Sequence, residues 1–317
     1  PPGVTPTFAP SHINSAAINI QQGHTINVTS DYSADELTLN GTLNIETGGR
    51  FGLMNGTGTD LSISGTGRLN LNDGIYGSDA GTTTTISSSG YFYNKLTGGN
   101  AIFFGTANFL NNSIYQHDGD GGTIPTATWQ SGSNVIITGI TSSNVIGNLG
   151  QAFSNFTWNC LGQSQAIGLG GALVNIGGNF TVLSTGNPAN ELRLFSINNG
   201  ISNLNVGGSF TLNGGSLALT NLSSTTALNN NHTIQVTGLT TLSGGSLVLA
   251  GNNATTGTGV ATFNANGGLE IASSLSTLNL SANTAAGILN VGGNLNLSAG
   301  SIRKTGGGTG SLNLVKA

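Results

Sequence analysis

The sequence predicts an all-β chain, a single-stranded right-handed parallel β-helix (β-solenoid) with coils of about 25–30 residues. Three observations predict it: short runs of alternating apolar and polar residues, their recurrence at near-regular spacing, and a composition rich in turn formers. Only 6% of the 317 residues are charged, where a soluble domain carries about 25%. Glycine supplies 52 positions, and Asn, Ser and Thr take the place of Lys and Glu. Gly and Asn tolerate the backbone angles of tight turns, whereas Gly and β-branched residues disfavour helices. Disorder fits poorly, because disordered chains combine low hydrophobicity with high charge; here 36% of residues are hydrophobic and the net charge is −4.

Period-two alternation marks strands with one buried face. It begins with Ile18-Asn19-Ile20 and Gly23-His24-Thr25-Ile26-Asn27-Val28, then continues through Leu37-Thr38-Leu39, Leu43-Asn44-Ile45, Leu61-Ser62-Ile63 and Leu69-Asn70-Leu71. Further along come Phe180-Thr181-Val182, Phe210-Thr211-Leu212, Leu217-Ala218-Leu219, Leu247-Val248-Leu249, Leu269-Glu270-Ile271, Leu278-Asn279-Leu280, Leu295-Asn296-Leu297 and Leu312-Asn313-Leu314. Each run is short and stops at Gly, Asn or Ser.

Recurrence then selects the architecture. Asn175-Ile176-Gly177-Gly178-Asn179-Phe180 returns one repeat later as Asn205-Val206-Gly207-Gly208-Ser209-Phe210. The offset, taken from Gly177 to Gly207, is about 30 residues, a length typical of solenoid repeats. Val236-Thr237-Gly238 and Gly267-Gly268-Leu269 continue the series, and Asn290-Val291-Gly292-Gly293-Asn294-Leu295 closes it after a shorter step, from Gly267 to Gly292. One such unit cannot bury its own apolar face, but stacked units build continuous apolar columns. About ten to twelve coils at a 4.8 Å strand spacing would span roughly 50 Å. Right-handedness follows from the general preference of parallel crossovers. An antiparallel sandwich also alternates, but it leaves the recurrence unexplained and the chain has few Asn-Gly hairpin signals.

The domain reading is one continuous solenoid over residues 1–317. Residues 1–80 form a Pro-rich lead-in or cap (Pro1, Pro2, Pro6, Pro10) and the first coils; residues 81–170 form less regular coils; residues 171–317 form the most regular ones. The middle region carries the aromatics, among them Tyr91, Phe92, Tyr93, Phe103, Phe104, Phe109, Tyr115, Trp129, Phe153, Phe156 and Trp158. The opening Pro1-Pro2-Gly3, without Met, reads as a mature protein or excised segment. The ending Leu312-Asn313-Leu314-Val315-Lys316-Ala317, in mid-pattern, reads as a processed terminus or a piece of a longer solenoid.

Two segments carry a resemblance. Tyr115-Gln116-His117-Asp118-Gly119-Asp120-Gly121-Gly122-Thr123-Ile124-Pro125-Thr126-Ala127-Thr128-Trp129 is one, and Phe153-Ser154-Asn155-Phe156-Thr157-Trp158-Asn159-Cys160 is the other. Together with the Gly-Gly-Asn-Phe-Thr-Val coil they resemble the large repetitive β-helix surface proteins exported by Bacteroidetes, which often carry a C-terminal type IX secretion sorting domain. The resemblance spans roughly residues 90–300 and implies export to the cell surface or medium. It implies no activity, because that family brings no catalytic residues to carry over.

Chemistry is sought among few charged groups. Seven Lys and Arg in all argue against nucleic acid, whose phosphates need clustered cations. No apolar run approaches the length of a membrane-spanning helix. A single cysteine, Cys160, excludes an intrachain disulfide. β-Helices also carry polysaccharide hydrolases and lyases, which need paired carboxylates, or calcium with a basic residue. The eleven acids here are scattered. Asp35 and Asp60 are one coil apart, a carboxylate pair if stacked and otherwise two surface turn residues. Asp118 and Asp120, flanking Gly119, resemble the opening of a calcium loop without its later acidic ligand, and they are the candidate metal ligands. Glu191 and Arg193 read as an exposed ion pair. Cys160 reads as a buried inert thiol sharing a face with Phe156 and Trp158. His12, His24 and His232 read as turn or surface residues. The run Tyr91-Phe92-Tyr93 must place one side chain outward, which could offer a sugar-stacking platform; core or cap packing is the favoured reading.

These readings add up to an exported structural or adhesive solenoid without catalysis or cofactor, apart from candidate calcium at Asp118 and Asp120. It would serve as a stalk, a surface layer component or part of an extracellular fibre. The expected location is extracellular or the cell surface. Expected partners are further copies end to end, other surface proteins or glycans, with no nucleic acid and no membrane insertion. The alternative is a β-helical carbohydrate-binding or polysaccharide-degrading protein.

Overall fold

The computed structural model describes residues 11–96, 102–103, 105–142, 146–195, 202–220, 228–251 and 258–315. The proline-rich opening, Phe104 and the terminal Lys316-Ala317 lie outside the described residues. Every regular element among those described is a β-strand, and every strand ladder is parallel. The chain is a parallel β-helix. It divides into two compact units, Pro1–Asp118 with Thr123–Ser133, and Gly119–Gly122 with Asn134–Ala317.

In the first unit each coil visits three sheets in turn. Ala17–Ile20, Glu36–Leu39, Leu61–Ile63, Thr83–Ile86, Thr106–Phe109 and Thr128–Trp129 build the first sheet. The second contains Thr25–Val28, Thr42–Glu46, Arg68–Asn72, Tyr91–Asn94 and Ile114–His117. The third stacks Asp31–Ala34, Arg50–Leu53, Ile75–Ser78 and Ile102–Phe103. The expected alternation is visible strand by strand. Leu43 and Ile45, then Leu69 and Leu71, face inward, while Asn44 and Asn70 between them face out. The core of this unit is mainly aliphatic, with a cluster of aromatic rings in its later coils: Phe92 packs edge-on against Tyr76 at 5.9 Å, and Phe109 stacks on Trp129 at 4.3 Å.

The second unit also stacks three ladders, but the expected one-sided burial fails in part: Ser216–Thr220 is buried at every position, Val248 and Asn279 are buried between their leucines, and Leu297, Leu312 and Leu314 are exposed. Asn134–Ile137, Asn155–Asn159, Phe180–Ser184, Phe210–Leu212, Thr240–Leu242, Leu269–Ile271 and Leu295–Leu297 stack in one ladder. A second ladder runs through Ile167–Gly168, Glu191–Arg193, Ser216–Thr220, Ser246–Ala250, Thr277–Ser281 and Ser301–Arg303. The third runs through Ala152–Phe153, Asn175–Ile176, Ser202–Val206, His232–Val236, Val260–Ala265, Ala286–Val291 and Gly310–Leu314. Phe156, Phe180, Phe210 and Phe263 form a file of buried rings with successive centroids 6.2, 5.3 and 5.8 Å apart.

Coil length varies more than the sequence offsets suggest. Side-chain amides bonded between neighbouring coils are 17 residues apart at Asn27 and Asn44, 26 at Asn44 and Asn70, and 21 at Asn134 and Asn155. The spacing of 30 holds where Asn179 meets Ser209 and Asn213 meets Ser243. Strand lengths stay between two and six residues, so the connections absorb the difference, as solenoid insertions do.

The recurring Gly-Gly pairs form a corner column: Gly178, Gly208, Gly238, Gly267 and Gly293 each precede an aligned strand by two residues. None of these five has a positive φ, so the requirement is close approach. Gly208 N donates to Gly178 O and Gly238 N to Gly208 O, both at 2.8 Å. At that separation a Cβ on Gly238 would sit 2.8 Å from the Gly208 carbonyl.

Candidate functional site

The outer surface carries polar ladders. Asn44 Nδ2 donates to Asn27 Oδ1 and Asn70 Nδ2 to Asn44 Oδ1, each at 2.8 Å. In the second unit Asn290 Nδ2 donates to Asn264 Oδ1 at 2.7 Å and Asn313 Nδ2 to Asn290 Oδ1 at 2.8 Å. Parallel in-register stacking makes this possible, because each coil places the same outward position beside the next.

One outer patch differs. On the second sheet of the first unit, Arg68 pairs in register with Tyr91, and Tyr93 lies between Asn70 and Gln116. Phe92 is fully buried, so strand alternation turns Tyr91 and Tyr93 outward together, both partly exposed. The Arg68 guanidinium lies 4.0 Å from the centre of the Tyr91 ring, a cation–π contact. Tyr91 Oη donates to Gln116 Oε1, and Tyr93 Oη donates to Asp118 Oδ2. Both hydroxyls reach forward to the next coil, so the two rings lean the same way and are held at their tips. Burial first, then the bond to Asp118 and its charge, pushes the Tyr93 hydroxyl well above its usual range. Both rings therefore stay neutral donors at physiological pH.

The acids act elsewhere as acceptors that fasten corners. Asp120 Oδ1 accepts from Thr141 N and Ser142 N at 3.0 and 3.2 Å, and Oδ2 accepts from Thr141 Oγ1 and Ser142 Oγ at 2.7 and 2.9 Å. Desolvation opposes ionisation there, but these four bonds outweigh it and hold the carboxyl at about 2. Asp118 and Asp120 thus engage different partners, the Tyr93 hydroxyl and the Thr141-Ser142 turn. Among the described residues no group of three or more His, Cys, Asp or Glu is placed to hold a metal ion. Asp60 is buried, against its surface reading, and accepts from Gly56 N at 2.7 Å in its own turn and from Thr83 N at 2.6 Å in the next coil, which ties two adjoining coils. Glu36 accepts from Thr57, and Glu46 from Asn72. Arg193 Nε meets Glu191 Oε2 at 3.0 Å, with Leu192 inward between them.

Cys160 is fully buried with Phe156 and Trp158, its thiol 3.6 Å from the Ile137 carbonyl. His12 and His24 are exposed, but the surface reading of His232 is corrected. His232 aligns with Ser202 and Ala261 on an inward position, is fully buried, and stacks on Phe195 with ring centroids 5.1 Å apart. His232 opens the strand His232–Val236 and shares the inward face of Ile234 and Val236, a period-two signal that a lone polar residue at a strand end obscures.

Among the described residues neither ring nitrogen of His232 has a hydrogen-bond partner, and burial lowers its pKa. The unfolded histidine takes up a proton near 6.5, the folded one only at lower pH. Stability linked to the neutral ring is therefore complete above about 6.5 and declines as pH falls below it. Thermal unfolding at pH 7.5 and 5.5 should show a larger loss for the wild type than for His232→Leu, which also removes two unpaired buried nitrogens. Equal losses in both proteins would contradict the assignment.

No helix among the described residues is long and apolar enough to cross a membrane. Comparison with family models, curated proteins and solved structures gave no match.

Proposed function

We propose that the chain is an exported, non-catalytic solenoid that works as a structural and adhesive element of a cell surface: a stalk, surface layer or extracellular fibre component. The observation that carries this reading is the use to which the polar groups are put. Amides stack into outward ladders, and the acids Glu36, Glu46, Asp60 and Asp120 accept bonds that fasten turns and coils. General acid–base chemistry on polysaccharide needs carboxylates free to exchange protons near neutral pH, and Asp120 is held at about 2 instead. Export rests on the resemblance of residues 115–129 and 153–160 to the Bacteroidetes type IX cargo, and the extracellular location follows from it. The purified chain is expected to leave polysaccharides intact, and formation of new chain ends would overturn the reading.

The carbohydrate-binding alternative gains support from one feature, the outward Tyr91 and Tyr93. It is compatible with the adhesive role and gives that role a surface.

A further inference from the structure

We propose that the outward face formed by Arg68, Tyr91, Tyr93, Gln116 and Asp118 is a glycan-binding site, in which two neighbouring pyranose rings lie along the two tyrosines. The proposal rests on the adhesive reading above and names the class of ligand that the reading requires. Strand geometry is its first support. Residues two apart on one strand stand about 6.6 Å apart on the same face, so the rings form a short row rather than scattered contacts. The second support is fixation. Each hydroxyl is bonded to the next coil, and Arg68 braces the first ring from the coil before. Ordering is thus complete before a ligand arrives, which lowers the entropic cost of binding.

The third support is the mixture of chemistry. A pyranose offers an apolar C–H face and a rim of hydroxyls. Tyr91 and Tyr93 supply amphipathic ring area for the former. Around them stand a guanidinium donor at Arg68, a side-chain amide at Gln116, and a carboxylate acceptor at Asp118. Among the outer ladders described above, this is the one where aromatic rings and charged groups meet. An extended surface also suits a polymer, whereas a small metabolite needs an enclosing pocket.

Affinity gel electrophoresis tests the site with the full chain and a panel of soluble polysaccharides: laminarin, xylan, glucomannan, hydroxyethylcellulose and pectin. The wild type is expected to be retarded by at least one of them. Tyr91→Ala/Tyr93→Ala should weaken that retardation tenfold or more, while Thr241→Ala, an outward threonine of the second unit, should leave it unchanged. Far-UV circular dichroism and thermal midpoints confirm that the variants fold. Because both tyrosine side chains face outward, Tyr91→Phe/Tyr93→Phe provides a milder variant that should retain binding in part. No retardation by any polysaccharide, or retardation indifferent to the double alanine substitution, would overturn the site. Shortening of a retarding polysaccharide would leave the site standing and overturn the non-catalytic reading.

Discussion

Phe210→Ala is expected to destabilise the second unit by about 3–5 kcal/mol, the range for emptying a buried phenylalanine site. Phe210 is 1% exposed and lies between Phe180 at 5.3 Å and Phe263 at 5.8 Å. Its ring touches the coil before and a strand from the coils after, so truncation removes contacts on both sides. The surroundings have little freedom to collapse into the space, because the strands are pinned in register by backbone bonds to both neighbours. In a solenoid each coil is stabilised by nearest-neighbour interfaces, so the loss should appear first as reduced amide protection over Phe180–Ser184, Phe210–Leu212 and Thr240–Leu242. Thermal unfolding with hydrogen exchange measures both. A loss below about 1 kcal/mol would mean that the ring file is not packed as described.

Gly267→Ala should cost about 1–3 kcal/mol by overpacking. A Cβ there would stand 2.5 Å from Gly238 O and 2.7 Å from Thr237 O. Both obstacles are backbone atoms of the preceding coil, so no side chain can swing aside to relieve them. Gly77→Ala is the matched control. Gly77 also lies in a coil, has no positive φ and a Cβ there would meet nothing within 4 Å among the described residues, so alanine there should be neutral or slightly stabilising through the unfolded state. Equal effects of the two substitutions on the denaturation midpoint would contradict the close-approach explanation of the corner column.

Much of the fold was legible in the chain because the buried columns need the same residue types at the same strand positions. Alternation located Leu37-Thr38-Leu39 and Phe180-Thr181-Val182 with their inward faces, but for Tyr91-Phe92-Tyr93 it required only one outward side chain, and the structure turns both tyrosines outward. The Gly-Gly recurrence marked the corner, although alternation and spacing cannot tell a conformational need for glycine from a steric one. Arg68 was not legible as part of the tyrosine face. The step from Arg68 to Tyr91, its partner in register, is shorter than the preceding step from Asn44 to Asn70 in the same sheet. With connections of variable length, sequence offset no longer identifies which outward residues meet. His232 failed for a different reason: alternation with Ile234 and Val236 places it on their inward face, but a polar residue at the start of the run was read as lying outside it.

The structural and adhesive reading stands or falls most directly on what the protein does to a polysaccharide. The full chain, incubated with the polysaccharide panel with and without added calcium, is followed for new reducing ends, unsaturated products and loss of polymer length. The account predicts retention of the protein on at least one polymer with no change in chain length under either condition. Turnover of any of these polymers, abolished by substituting Asp60, Asp118 or Asp120 in a protein that still folds, would contradict it.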